Sequence, residues 1–237
     1  MAAENWIFVD GFTQPSGDWP FDQPGAPRGW TSGSVPLAAS FVEAAGQLRW
    51  MTTYRERAQP VEHTAFVGYS MGGRLCLQLA LDHPEVVERL ALISGSPGIA
   101  DPNERAERRK TDERLATGIE RDGVDAFLER WIAQPLFASL PRERAGLADR
   151  RARNTVDSLT YQLRVLGQGA QPSNWERLGE LRVPVLLIAG ELDAKYVGIA
   201  QRMAAAIPQA RVEIVADAGH ACHLERPDVV AHLLSSW

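Results

Sequence analysis

The chain is poor in cysteine, with two in 237 residues, Cys76 and Cys222. Two are too few for a disulfide framework, so a reducing cytoplasm is the expected location. No apolar run approaches the ~20 residues a membrane-spanning helix needs. Residues 1–5 lack the basic start and apolar stretch of a secretion signal. Basic blocks are also missing. With a net charge of −5, nucleic acid is excluded as the main partner. No H-x-H, H-E-x-x-H or C-x-x-C pattern occurs, so no metal site is expected. No G-x-G-x-x-G follows a strand, no acidic run has calcium-loop spacing, and no cofactor is expected. Internal repeats and low-complexity tracts are likewise missing. What remains is ordinary globular composition, 45% hydrophobic and 23% charged, of a length that fits one domain with room for an inserted subdomain.

Against that background one motif stands out. Gly68-Tyr69-Ser70-Met71-Gly72 reads G-x-S-x-G. It follows the apolar run Thr64–Val67 and precedes a helical pattern ending at Asp82, before Pro84. Strand, sharp turn and helix are the context of a nucleophile elbow, which holds a serine hydroxyl out at a strand end. Two further strand ends carry matching chemistry. The run 183–189 leads into Gly190-Glu191-Leu192-Asp193, and 211–215 leads into Gly219-His220. Serine is inert at its free pKa and needs a base, here His220, oriented by a carboxylate, here Asp193. Glu191 is the nearest rival acid. Among rival histidines, His63 and His83 sit at the wrong ends of their elements, and His232 lies in the last helix. His223 shares the loop but lacks the preceding glycine. The backbone N–H of Met71 follows from the elbow as an oxyanion donor. Cys76 reads as a small buried hydrophobe. Cys222 lies beside His220, but Ser70 already fills the nucleophile position.

Trp6–Val9 reads as a first buried strand ending at Asp10-Gly11-Phe12, residues 13–36 as loop, and Ser40–Arg57 as a helix. Arg89–Ile93 reads as another strand. From about 100 to 171 strand-like runs vanish and Arg, Glu and Ala recur at helical spacing, with breaks near Gly123, Pro135, Pro141 and Gly167. Helices are expected again at 196–206 and 227–236. This alternation predicts an α/β fold, a mostly parallel sheet with helices on both faces. Residues 1–99 and 172–237 form its core, and 100–171 an inserted helical cap.

The chain order Ser, Asp, His is that of the α/β-hydrolase fold. A narrower resemblance runs from about Thr64 to Pro227. Its residues are Tyr69-Ser70-Met71-Gly72-Gly73-Arg74, Ser94-Gly95-Ser96-Pro97-Gly98-Ile99, Glu104-Arg105-Ala106-Glu107-Arg108, Trp131-Ile132-Ala133-Gln134-Pro135-Leu136-Phe137, Gln171-Pro172 and Ala218-Gly219-His220. In these the chain resembles the 2-succinyl-6-hydroxy-2,4-cyclohexadiene-1-carboxylate synthases of menaquinone biosynthesis, lyases that remove pyruvate from an anionic precursor. The resemblance implies a small anionic substrate, no cofactor, and a Ser70–His220–Asp193 system acting as a base. It implies Phe12 N–H as second oxyanion donor, although Asp10 stands where such folds usually carry histidine. The D-L-P-G-H-G-like strand end of the family is not recognisable after Trp19, and Phe21–Gly25 is a faint echo.

Arg74 lies one helical turn past Ser70, close enough to bind an anion beside it. The resemblance adds Arg108 and an arginine just before Asn154, for which counting back from Gln171-Pro172 prefers Arg151 over Arg153. Arg105, Arg109 and Lys110 read as a solvated helix face. Trp131 would pack over the substrate or in the cap core, and Tyr69 would donate a hydrogen bond to the ligand. The same three residues would also serve a hydrolase of esters, thioesters or carbon–carbon bonds. A non-catalytic ligand-binding protein is the remaining alternative.

Overall fold

The computed structural model describes residues 5–14, 19, 30–33, 38–49 and 64–237. Among them, β1 (Asn5–Val9), β2 (Trp30–Gly33), β3 (Thr64–Tyr69), β4 (Arg89–Ile93), β5 (Val185–Gly190) and β6 (Ala210–Val215) form one parallel sheet. Its order is β2-β1-β3-β4-β5-β6. Successive side chains of the inner strands divide between two cores, as a period of two requires. Ile7, Val9, Phe66, Leu90, Leu92 and Leu187 face one core, whereas Trp6, Phe8, Val67, Ala91, Ile93 and Leu186 face the other. The first is closed by α1 (Phe41–Gln47), α2 (Met71–Asp82) and α6 (Ala194–Ala206), and the second by α7 (Cys222–Glu225) and α8 (Pro227–Ser236). Cys76 and Cys222 are free and buried in these cores.

Between β4 and β5 the chain leaves the sheet. Asp101 caps α3 (Pro102–Ile132) by accepting from the N–H groups of Asn103 and Glu104, with Pro102 at the position that needs no donor. Gly123, at φ +81 and ψ 171, leaves helical geometry and divides α3 into two helices across a kink. Then follow α4 (Leu147–Arg153) and α5 (Val156–Leu166). Ala116, Ile119, Phe127, Leu128, Leu159 and Leu163 give α3 and α5 a small core of their own.

Two expectations change. The span 13–36 holds a strand at Trp30–Gly33. Thr31, Ser32 and Gly33 carry no apolar alternation, and this strand pairs in parallel with β1. The helix expected over Ser40–Arg57 is α over Phe41–Gln47. Residues 50–57 lie outside the described residues, as do Phe21–Gly25 and His63.

The sheet order reverses between β1 and β3, because the chain passes from β1 to one side and returns on the other. In open parallel sheets the crevice at such a switch point, beyond the carboxyl ends of the strands, is where ligands bind. Phe12 and Ser70 follow those two strand ends.

Candidate active site

The elbow needs both of its glycines. A Cβ on Gly68 would lie 2.5 Å from Gly72 O and Gly73 N, and one on Gly72 would lie 2.0 Å from Val9 O. Helix α2 therefore starts pressed against the sheet, and Ser70 at the apex is forced to φ +50, ψ −104. Ser70 N–H donates to Ile93 O at 2.8 Å, which stitches the apex to β4. Met71 opens the helix, so its N–H has no acceptor within α2.

The carboxyl ends of β5 and β6 supply the other two groups. Asp193 caps α6, accepting from Tyr196 N–H through Oδ1 at 3.3 Å. Its Oδ2 lies 2.7 Å from His220 Nδ1, and His220 Nε2 lies 3.0 Å from Ser70 Oγ. A carboxylate only accepts, so the proton sits on Nδ1 and Nε2 accepts from the serine hydroxyl. Both Asp193 and His220 are buried. The His220 loop is fixed by neighbours the sequence did not advertise. Ser94 Oγ donates to His220 O at 2.9 Å, and Gly219 N–H donates to Glu225 Oε2 at 2.9 Å.

Above Ser70 lies a cavity of about 280 Å³, walled by both the sheet end and the helices between β4 and β5. Phe12, Tyr69, Met71, Arg74, Arg108 and Trp131 line it with Ser70 and His220. Among the described residues its cations are Arg74, Arg108 and Lys195, and no carboxylate lines it. Arg74 is 6% exposed. Its guanidinium donates to Gln171 Oε1 at 3.3 Å and lies 5.6 Å from the Phe41 ring centroid. Burial pulls its pKa down to about 10, so it remains a cation at neutral pH. Arg108 donates to Asp112 at 2.7 Å and to Gln168 Oε1 at 2.5 Å. Trp131 packs in the core of the inserted segment and also lines the cavity. Its ring contacts Phe12 and Phe127 at 4.9 and 5.7 Å, and it faces the cavity. Its Nε1–H is buried with no acceptor among the described residues.

Arg151 is not brought to this cavity. It is 39% exposed and pairs with Glu129 and Asp125 of α3. The buried arginine of α4 is Arg150, which donates to Ala145 O at 2.7 Å and Thr13 Oγ1 at 2.5 Å. Other arginines of the segment are neutralised at the surface: Arg164 by Glu113 and Glu120, Arg130 by Asp122, and Arg142 by Glu129. Lys195, Tyr196 and Gln168 also line the cavity. The first two were within reach of sequence reasoning, since they open the helix that Asp193 caps.

Behind Tyr69, His223 is buried against the rings of Tyr69 (4.2 Å) and Trp19 (5.1 Å), and Trp19 donates to Asp10 at 2.8 Å. Burial, with Arg150 and His220 nearby, lowers the His223 pKa to about 3. Between its ordinary value of 6.5 and about 3 the folded protein keeps this ring neutral while the unfolded chain binds a proton. Stability from this group is therefore complete above pH 6.5 and falls as pH drops through that window, by about 1.4 kcal/mol per unit. Urea midpoints between pH 7 and 4.5 should decline less steeply in His223→Gln than in the parent.

The chain matches the alpha/beta hydrolase fold family over residues 21–227. It is 42% identical over 175 residues to a protein of Bacillus subtilis named as a putative 2-succinyl-6-hydroxy-2,4-cyclohexadiene-1-carboxylate synthase, covering 72% of this chain and 64% of that one. It is 34% identical over 170 residues to the synthase of that name from Salmonella schwarzengrund, covering 71% and 66% respectively. The chain thus spans about two thirds of the length of these relatives. Among solved structures, MenH from S. aureus superposes with a TM-score of 0.87 at 27% identity, over 100% of this chain and 93% of that one.

Proposed function

The chain belongs to the alpha/beta hydrolase fold family, and on that premise we propose that it is a carbon–oxygen lyase. In this reading it eliminates pyruvate from 2-succinyl-5-enolpyruvyl-6-hydroxy-3-cyclohexene-1-carboxylate, the reaction that the printed names of its relatives suggest. The observation that carries the reading is a cavity beside Ser70 lined, among the described residues, by three cations and no carboxylate. Lining of that kind suits a substrate with several carboxylates and is needless for a neutral ester.

In the proposed reaction His220 takes the Ser70 proton, and Asp193 holds the resulting imidazolium. The Ser70 oxygen removes a ring proton from the substrate. The electron pair moves through the conjugated system and breaks the bond to the enolpyruvyl oxygen. The leaving group takes up a proton at its methylene carbon and departs as pyruvate, with the proton on His220 restoring the balance. The N–H groups of Met71 and Phe12 would hold the oxyanion that develops. Arg74, Arg108, Trp131 and Tyr69 would hold the substrate. Residues 1–99 and 172–237 act as the core, and 100–171 as the cap that closes the site. No helix among the described residues is long and apolar enough to cross a membrane. Two free buried thiols suit a cytoplasmic setting.

A coupled assay tests the reading. Supplying the enolpyruvyl precursor with lactate dehydrogenase and NADH should yield one pyruvate per substrate consumed, with little turnover of 4-nitrophenyl acetate. Rapid ester turnover without pyruvate would make Ser70 a hydrolytic nucleophile instead.

A further inference from the structure

The hydrogen-bond polarity around Gln168 carries a consequence for the neighbouring phenol. Gln168 sits between α5 and β5, and its amide bridges two cavity-lining groups 60 and 28 residues away. Guanidinium has donors only, so the Gln168 oxygen must face Arg108 Nη1. That fixes the amide the other way round at its far end, where Nε2 donates to Tyr196 Oη at 2.9 Å. The phenol oxygen is thereby an acceptor toward Gln168, and its own hydrogen has to go elsewhere. No other described residue bonds this oxygen, the ring is buried, and the residue lines the cavity. The ring itself is held against His220, with centroids 4.6 Å apart, and the backbone N–H against Asp193. Asp112 anchors the far end of the relay, gripping Arg108 and also accepting Gly169 N–H at 3.1 Å.

We infer that the Tyr196 hydroxyl is a substrate-binding donor, turned into the cavity by the Arg108–Gln168 relay so that it meets an anionic oxygen of the ligand. It adds an uncharged contact to the cations of the pocket. It also ties the anion grip of the helical segment to the residue packed on the base. Burial raises the phenol's pKa, so the donor keeps its hydrogen across the working pH range. The inference rests on the elimination reading only for the identity of the anion.

Tyr196→Phe removes the hydroxyl and leaves the ring over His220. Gln168→Glu is the sharper probe. A carboxylate still accepts from Arg108, but it also accepts from Tyr196 and draws the phenol hydrogen out of the cavity. Both variants should raise KM for the enolpyruvyl precursor about 10-fold, as loss of a hydrogen bond to a charged group does, with kcat within about 3-fold. On top of Tyr196→Phe, Gln168→Glu should cost less than it does in the parent, because only the repulsion of its new cavity-lining carboxylate remains once the donor it draws away is gone. Calorimetric titration with succinate gives the same comparison as a Kd and needs no turnover. Succinate binding weakened by both variants in a protein that releases no pyruvate would keep the donor and discard the lyase. Parent-like KM and Kd in Tyr196→Phe or Gln168→Glu, or losses that multiply, would overturn the donor and leave the lyase standing.

Discussion

Ser70→Ala should lose at least about 1,000-fold in kcat for pyruvate release while binding the precursor as tightly as the parent. The expectation follows from what the hydroxyl does and does not touch. Its Oγ meets His220 Nε2 at 3.0 Å. It gives no capping bond to α2, so the substitution removes the base system's proton carrier without loosening the helix that carries Arg74. Folding stability should stay within about 0.5 kcal/mol. Ser70→Gly adds an internal check, since the apex sits at φ +50 in a region costly for any side chain. That variant should be as inactive as Ser70→Ala yet more stable by on the order of 1 kcal/mol. Single-turnover kinetics and calorimetry read the two halves separately. Loss of binding in Ser70→Ala equal to the loss of rate would mean that the serine holds the ligand and does no chemistry. Unchanged turnover would remove the serine from the mechanism.

Much of this site was legible because each of its parts is a strand end followed by a turn with restricted chemistry. The G-x-S-x-G spacing is dictated by sub-3 Å approaches of backbone at Gly68 and Gly72. The apolar runs before Ser70 and Asp193 are buried throughout, as central parallel strands must be. The less legible parts lack such a local cause. Strand β2 has no apolar alternation to announce it. The helix face of Arg150 versus Arg151 depends on how α4 packs against Thr13 and α3, which counting cannot supply. Gln168 was invisible for the same reason: its meaning lies in partners 60 and 28 residues distant. Lys195 and Tyr196 were closer to hand. A helix capped by the triad acid necessarily points its first turn at the site, and that is a readable signal in any chain of this order.

Arg74→Ala should lower kcat/KM for the anionic precursor by on the order of 100-fold or more, and should barely alter turnover of a neutral ester. A buried charge must be compensated, and among the described residues Arg74 has an amide oxygen at 3.3 Å and an aromatic face but no ion pair, with Asp112 acting on it only at longer range. Burial has already lowered its pKa to about 10, which records the cost of keeping it charged there. A carboxylate arriving in the cavity would supply the missing partner. Truncating one side of such a buried pair typically costs ~2–5 kcal/mol. The same reasoning predicts the opposite sign for the empty protein. Arg74→Met keeps the aliphatic volume and discards a charge that has no ion pair among the described residues, so the ligand-free form should unfold at a higher urea concentration than the parent. The two measurements together separate roles that either alone would confuse. A structural arginine would lose stability and would lose activity equally on both substrates. An anion-binding arginine gains stability when removed and loses only the charged substrate.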